Sequence, residues 1–75
     1  MTLQQIFSDV FSIPESTVNA DLELRQISSW DSMSHMVLIS RIEEVFNMQF
    51  TGDEIADLRC FGDVTNALRL RHLIS

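Results

Sequence analysis

The residues best suited to chemistry lie close together in the middle of the chain, at Asp31, Ser32 and His35. A serine hydroxyl next to a carboxylate and near an imidazole could act as a nucleophile, or it could be a site where another enzyme attaches a group. Ser32 stands where a polar loop gives way to an amphipathic segment, so its hydroxyl should be easy to reach. The surrounding sequence decides between these two uses.

The surroundings of these residues disfavour a serine hydrolase. On a helix that begins at Ser32, the side chain of His35 points toward the buried side and not outward beside Ser32. The sequence contains no glycine-rich turn for an oxyanion hole and no second domain to bind a substrate. We therefore interpret Ser32 as an attachment point and His35 as a partly buried residue that packs against the preceding loop.

Length and charge limit the possible classes of protein. The 75 residues predict one domain, residues 1–75, and a domain of this size buries only about 60% of its unfolded surface. Eleven acidic residues against five arginines give a net charge of −6. That charge disfavours nucleic acid and anionic membranes and favours partners with basic docking surfaces. We expect a cytoplasmic monomer without a metal site, because no leader, membrane-spanning stretch or metal-ligand spacing is visible.

Apolar periodicity predicts an all-α fold with three longer helices, one short helix and a long first loop. The first helix should begin after Thr2 and end near Ser12 or Ile13, because Pro14 disfavours its continuation. Its buried face follows helical spacing at Leu3, Ile6, Phe7, Val10 and Phe11. The loop from Pro14 to Trp30 has no period, and its predicted anchors in the core are Val18, Leu22, Leu24 and Ile27.

Two further helices are predicted after the central segment. Thr51 and Glu54 have the spacing of a capping box, so a short helix should begin at Gly52 and run to Leu58. The last helix should begin near Phe61. Its expected buried residues are Phe61, Val64, Ala67, Leu68 and Ile74.

The most strongly periodic segment runs from Ser32 to about Asn47 and has two distinct faces. The buried arc is expected to contain Met36, Ile39, Ile42 and Phe46, flanked by Leu38 and Val45. The opposite face should meet solvent, and its apolar end could contact a partner. This partner-recognition face comprises Met33, Val37, Ser40, Arg41, Glu43 and Glu44.

This helix order, with Asp31-Ser32-Met33 at the start of the second long helix, resembles the acyl carrier proteins. The resemblance extends from Leu24 to Leu68, and it implies a four-helix bundle. It includes Glu43-Glu44-Val45-Phe46, Phe50 and Phe61-Gly62-Asp63-Val64. Trp30 precedes the motif and His35 follows it. With these two residues, the segment looks more like that of the free-standing carriers of specialised pathways than that of the housekeeping carrier of fatty-acid synthesis.

The resemblance implies a carrier that is not itself an enzyme. A phosphopantetheinyl transferase would move 4′-phosphopantetheine from coenzyme A to Ser32 with the help of Mg²⁺, and Asp31 and Met33 would support the attachment site. The start of a helix is a favourable place for the negative phosphodiester. The arm would carry acyl or aminoacyl groups as thioesters between acyl-loading and acyl-transferring enzymes.

Two further expectations concern the cargo and the alternative function. Carriers of this family hold acyl groups in a cavity, and its expected lining here is His35, Met36, Ile39, Ile42, Phe46 and Leu58. The alternative is a small helical interaction module that is never modified. It would dock on its partner through Met33, Val37 and Glu44.

Overall fold

The computed structural model describes residues 2–74, and this part of the chain is helical without a β-strand. The helices are α1 (Leu3–Phe11), α2 (Ser32–Phe46), α3 (Gly52–Asp57) and α4 (Phe61–Leu70). Three longer helices, one short helix and a long first loop confirm the predicted fold. Within residues 2–74, no helix is both long enough and apolar enough to cross a membrane.

Local hydrogen bonds set the ends of the helices close to their predicted positions. Thr51 Oγ1 accepts from the Glu54 amide at 3.1 Å, and Glu54 Oε1 accepts from the Thr51 amide at 2.9 Å, which is the predicted capping box. Ser12 and Asn47 end α1 and α2 in the left-handed conformation, with φ of 55° and 53°. Asparagine tolerates this conformation better than most residues, and the amide of each residue caps a carbonyl of the preceding turn.

A short backbone bridge fastens the long loop to the segment before α4. The Leu24 amide donates to the Arg59 carbonyl at 2.9 Å, and the Phe61 amide donates to the Leu22 carbonyl at 2.9 Å. Glu23 and Cys60 thereby form an isolated antiparallel bridge. The loop also contains two 3₁₀ turns, at Glu15–Thr17 and Leu24–Gln26. The absence of a sequence period is explained by this irregular but hydrogen-bonded backbone.

The core is apolar and draws on all the longer helices and on the loop. Phe7 of α1 meets Phe61 of α4 edge-on, with ring centroids 4.9 Å apart. Three of the four predicted loop anchors, Val18, Leu24 and Ile27, are buried, and Leu22 is partly buried against them. Ile74 also packs partly on the core, beyond the end of α4.

The buried face of α2 is rotated from its predicted position. Leu38, expected only as a flanking residue, is fully buried together with Ile39 and Ile42. Met36 is 50% exposed and Val45 is 39% exposed, so their placement in the buried arc is wrong. Phe46 is only partly buried. The reason is that α2 packs mainly against α1, and the sequence of α2 alone does not reveal which side its neighbour covers.

Short helix α3 is held in place by an ion pair to the segment after α4. Arg71 Nη1 donates to Glu54 Oε2 at 2.7 Å, and Arg71 Nη2 bonds to Glu54 Oε1. The same guanidinium lies over the ring of Phe50, 5.5 Å from its centroid. These hydrogen bonds, together with the Thr51 amide, lower the pKa of Glu54 to about 2.

Truncation of α2 should separate the true buried face from the predicted one. Ile42→Ala should lower the free energy of unfolding by roughly 2 to 5 kcal/mol, because it leaves a cavity in the core. Met36→Ala should cost at most about 1 kcal/mol, because half of this side chain is already in solvent. Urea unfolding followed by circular dichroism measures both. Equal losses would contradict the observed rotation of the helix.

The Glu54–Arg71 pair should give a defined pH dependence of stability. A carboxylate whose pKa is lowered on folding stabilises the folded state above its unfolded pKa, and the gain is lost as pH falls toward its folded pKa. Glu54→Gln keeps a capping-box residue, so at pH 7 it should cost roughly 1 to 2 kcal/mol through the lost ion pair. Urea unfolding at stepped pH should show this deficit shrinking from about pH 4.5 toward pH 2.

Asp53→Asn is the matched control, because Asp53 is the exposed neighbour of Glu54 in the same turn. It removes the same charge without touching Arg71. A pH-independent deficit in Glu54→Gln, or the same pH profile in both variants, would contradict the assignment.

Candidate functional site

Ser32 is the first residue of α2, and its side chain is exposed. Asp31, which precedes Ser32, and Ser34, two residues after it, cap the start of α2. Asp31 Oδ1 accepts from the Ser34 amide at 2.7 Å, and Ser34 Oγ accepts from the Asp31 amide at 2.8 Å. This reciprocal cap satisfies backbone donors at the helix start and leaves the cap independent of the Ser32 hydroxyl.

Asp31 remains a carboxylate in this arrangement. The amide and then the hydroxyl of Ser34 donate to it, and they lower its pKa below the ordinary value for aspartate. The carboxylate is exposed, so it is also available to solvent and to a partner. The start of α2 thus combines an accessible hydroxyl, an ionised neighbour and the positive end of a fifteen-residue helix dipole.

His35 is held between the loop and α3 through both ring nitrogens. The Trp30 indole Nε1–H donates to His35 Nδ1 at 3.3 Å, and His35 Nε2 lies 3.2 Å from the Ile55 carbonyl oxygen. Because an indole nitrogen only donates and a carbonyl oxygen only accepts, these two contacts match the tautomer that carries its proton on Nε2. Neither nitrogen is left to take a proton from Ser32. The geometry therefore agrees with the rejection of a serine hydrolase.

A cleft of about 620 Å³ opens beside Ser32, between the start of α2, the long loop and α3. Leu24 and Leu58 are its buried residues, whereas Met36 and two arginines are exposed at its edge. Its lining comprises Glu23, Leu24, Arg25, Trp30, Ser32, His35, Met36, Ile55, Ala56, Leu58 and Arg59.

The predicted cavity lining divides between three places. His35, Met36 and Leu58 lie along the cleft beside Ser32. Ile39 and Ile42 are buried in the core and do not line this cleft. Phe46 also lies elsewhere, in a second cavity of about 470 Å³ near the start of α1.

Some residues of the predicted partner-recognition face are exposed, and others bond to residues of the same chain. Met33 is 79% exposed and Val37 is 50% exposed, and Ser40 and Glu44 are exposed as well. Two of its members are instead partly buried. Arg41 pairs with Asp9 of α1 at 3.6 Å, and Glu43 Oε2 accepts from the Phe50 amide at 2.9 Å.

Met33, Met36 and Val37 together form an exposed apolar surface, which we call the α2 patch. Their spacing of three and four residues places them side by side on the helix. Met36 joins this surface instead of the core and connects it to the cleft.

Several residues at the site were not identified from the sequence. Ser34 had a usable signal, because its position three residues after Asp31 is the reciprocal position of a capping box. Arg25, Ile55 and Arg59 had none, because the backbone bridge and the placement of α3 bring them to the cleft. Contacts between distant segments leave no mark on local periodicity.

The residues present fit a covalently attached phosphodiester arm. The hydroxyl of Ser32 is exposed, the helix start favours negative charge, and the adjoining cleft offers apolar surface. When bound, such an arm supplies a thiol that holds acyl groups as thioesters.

Comparison with solved structures shows the same fold in known carriers. A candidate acyl carrier protein from Mycobacterium tuberculosis superposes with a TM-score of 0.83 at 16% identity, over 92% of this chain and 92% of that chain. A holo acyl carrier protein from Nitrosomonas europaea superposes with a TM-score of 0.81 at 24% identity, over 93% of this chain and 90% of that one. No curated protein sequence matches this chain.

The sequence also matches a family model, described as the phosphopantetheine attachment site, over residues 2–68. This match covers α1, α2, α3 and most of α4, and it includes the exposed serine at the start of α2. The chain therefore belongs to the phosphopantetheine-binding family of acyl carrier proteins.

Proposed function

We propose that Ser32 is the residue to which the 4′-phosphopantetheine of this carrier is attached. The observation that supports it most directly is the place of Ser32, which is exposed at the first position of α2 and flanked by the Asp31–Ser34 cap. In the transfer, Ser32 Oγ attacks the phosphorus next to pantetheine in coenzyme A. The phosphoanhydride bond to the nucleotide breaks, adenosine bisphosphate leaves, and a base of the transferase takes the serine proton.

The neighbouring residues have separate proposed roles, and that of Asp31 is the one that the family implies. Asp31 keeps its carboxylate ionised and exposed, so it can help to hold the Mg²⁺ that the transferase uses. The start of α2 stabilises the phosphodiester once it is formed. His35 contributes by fixing Trp30 and α3 around the cleft, and not by proton transfer.

The cleft beside Ser32 is the proposed resting place for the acyl group. It lies next to the attachment serine, and Leu24, Leu58 and Met36 give it apolar surface. A volume of about 620 Å³ is in the range of small-molecule sites. An acyl group placed there is shielded from water between successive enzymes.

The α2 patch is the proposed docking surface for the transferase and for the enzymes that load and use the carrier. It is apolar at Met33, Met36 and Val37, and Glu44 adds negative charge on the same helix. The net charge of −6 favours partners with basic surfaces. We further propose that the carrier acts as a cytoplasmic monomer. An unmodified interaction module would use the same face, so attachment itself must be tested.

Attachment at Ser32 is tested by intact mass after incubation with coenzyme A, Mg²⁺ and a broad-specificity transferase. The wild-type chain should gain the mass of one phosphopantetheine, and Ser32→Ala should gain nothing. Ser28→Ala is the matched control, because Ser28 is an exposed loop serine outside the site and should be loaded like the wild type. No gain in the wild type, or a gain in Ser32→Ala, refutes the assignment.

Docking through the α2 patch is tested by loading kinetics. Val37→Ser should lower kcat/KM for the transferase roughly tenfold, since a buried valine contributes about 1.5 kcal/mol to an interface. Its free energy of unfolding should change by about 0.5 kcal/mol or less, because Val37 is half exposed. Leu70→Ser is the control, since Leu70 is an apolar residue that is 80% exposed on α4. Equal loading defects in both variants would argue against a specific patch.

A further inference from the structure

The cleft beside Ser32 has a charge opposite to that of the chain. The whole protein carries −6, yet two of its five arginines, Arg25 and Arg59, lie in this one cleft. Glu23 is the acidic residue among the lining. The cleft therefore carries a net positive charge within an acidic protein.

The fold brings these two arginines together through the bridge between Glu23 and Cys60. Arg25 lies two residues after Glu23, and Arg59 directly precedes Cys60. The Leu24 amide donates to the Arg59 carbonyl at 2.9 Å. Both side chains are exposed. The backbone pairing of these two segments therefore brings both arginines to the same cleft.

Both guanidinium groups are available to a ligand. Within residues 2–74, Arg41 pairs with Asp9 and Arg71 pairs with Glu54, whereas neither Arg25 nor Arg59 forms an ion pair there. A guanidinium presents a planar set of donors that matches a carboxylate in a bidentate manner. The cleft thus has donors for an anion at its edge.

The inner wall of the cleft is apolar, in contrast to its charged edge, and this limits the kind of ligand that fits. Leu24 and Leu58 are buried, with Ile55 partly buried beside them, so the inner wall is apolar. A plain alkyl chain would use this wall but leave the arginines to water. A short chain that ends in a carboxylate would satisfy both parts.

We propose that this cleft selects an acyl group with a terminal carboxylate, that is, the monothioester of a short dicarboxylic acid, with Arg25 and Arg59 as its receptors. This inference rests on the proposed attachment at Ser32, and it names the cargo class of that site. The terminal carboxylate binds the arginines while the methylene chain lies on Leu24 and Leu58.

The test compares two cargoes of the same shape, loaded from their coenzyme A thioesters by a broad-specificity transferase. One is glutaryl, and the other is its isostere in which an isopropyl group replaces the carboxylate. In the wild type, the glutaryl form should melt about 4 °C higher than the isopropyl form, as expected for one added ion pair in a domain of this size. The double variant Arg25→Gln/Arg59→Gln should lose this difference.

A second readout is the fluorescence of Trp30, the single tryptophan of the chain, which lines the same cleft. The emission maximum should differ between the two wild-type forms and coincide in the double variant. Arg69→Gln is the control, because it removes one arginine charge on α4 outside the cleft and should keep the glutaryl effect. Comparing two cargoes on each variant cancels any change in basal stability.

The other outcomes overturn the proposal in distinguishable ways. Equal melting of the two wild-type forms, or a more stable isopropyl form, means an apolar cargo while attachment at Ser32 still holds. An equal drop for the free-thiol, glutaryl and isopropyl forms of the double variant, without a drop for its unmodified form, means that the arginines bind the phosphodiester of the arm. If the unmodified form drops as well, the arginines stabilise the fold and do not select the cargo. Absence of any mass gain on loading refutes the proposed attachment at Ser32, and it refutes the proposed cargo as well.

Discussion

The backbone bridge between the long loop and the segment before α4 is the constraint on which the site depends. The loop has no helical period, so hydrogen bonds between distant residues must hold it, and the amides of Leu24 and Phe61 supply two of them. The bridge carries Arg25 and Trp30 to the start of α2 and places Arg59 beside them. Without it, Ser32 would still begin a helix, but there would be no cleft next to it.

A second contact closes the same cleft from the side of α3. His35 joins the Trp30 indole to the Ile55 carbonyl through its two ring nitrogens. Arg71 holds the other end of α3 through Glu54. Because α3 is only six residues long, it gains little stability from its own hydrogen bonds, and these tertiary contacts determine where it lies.

What could be predicted from the sequence is what short-range chemistry determines. The start of α3 at Thr51 and the end of α1 at Ser12 follow from caps and a nearby proline, and the structure places them as predicted. The orientation of α2 was predicted less well, because Met36 and Leu38 are both apolar and only the position of α1 decides which is buried. Arg25 and Arg59 could not be assigned to one cleft at all, since their meeting depends on non-local backbone pairing.

The reciprocal cap of Asp31 and Ser34 has a consequence for how the carrier presents itself. Because these two residues complete the start of α2, the hydroxyl between them is not needed by the fold. A group added to Ser32 would therefore replace no hydrogen bond of this cap, so the start of α2 can stay the same before and after loading. An enzyme that distinguishes the two forms would then have to contact the arm or its cargo, because the cap of α2 would be the same in both.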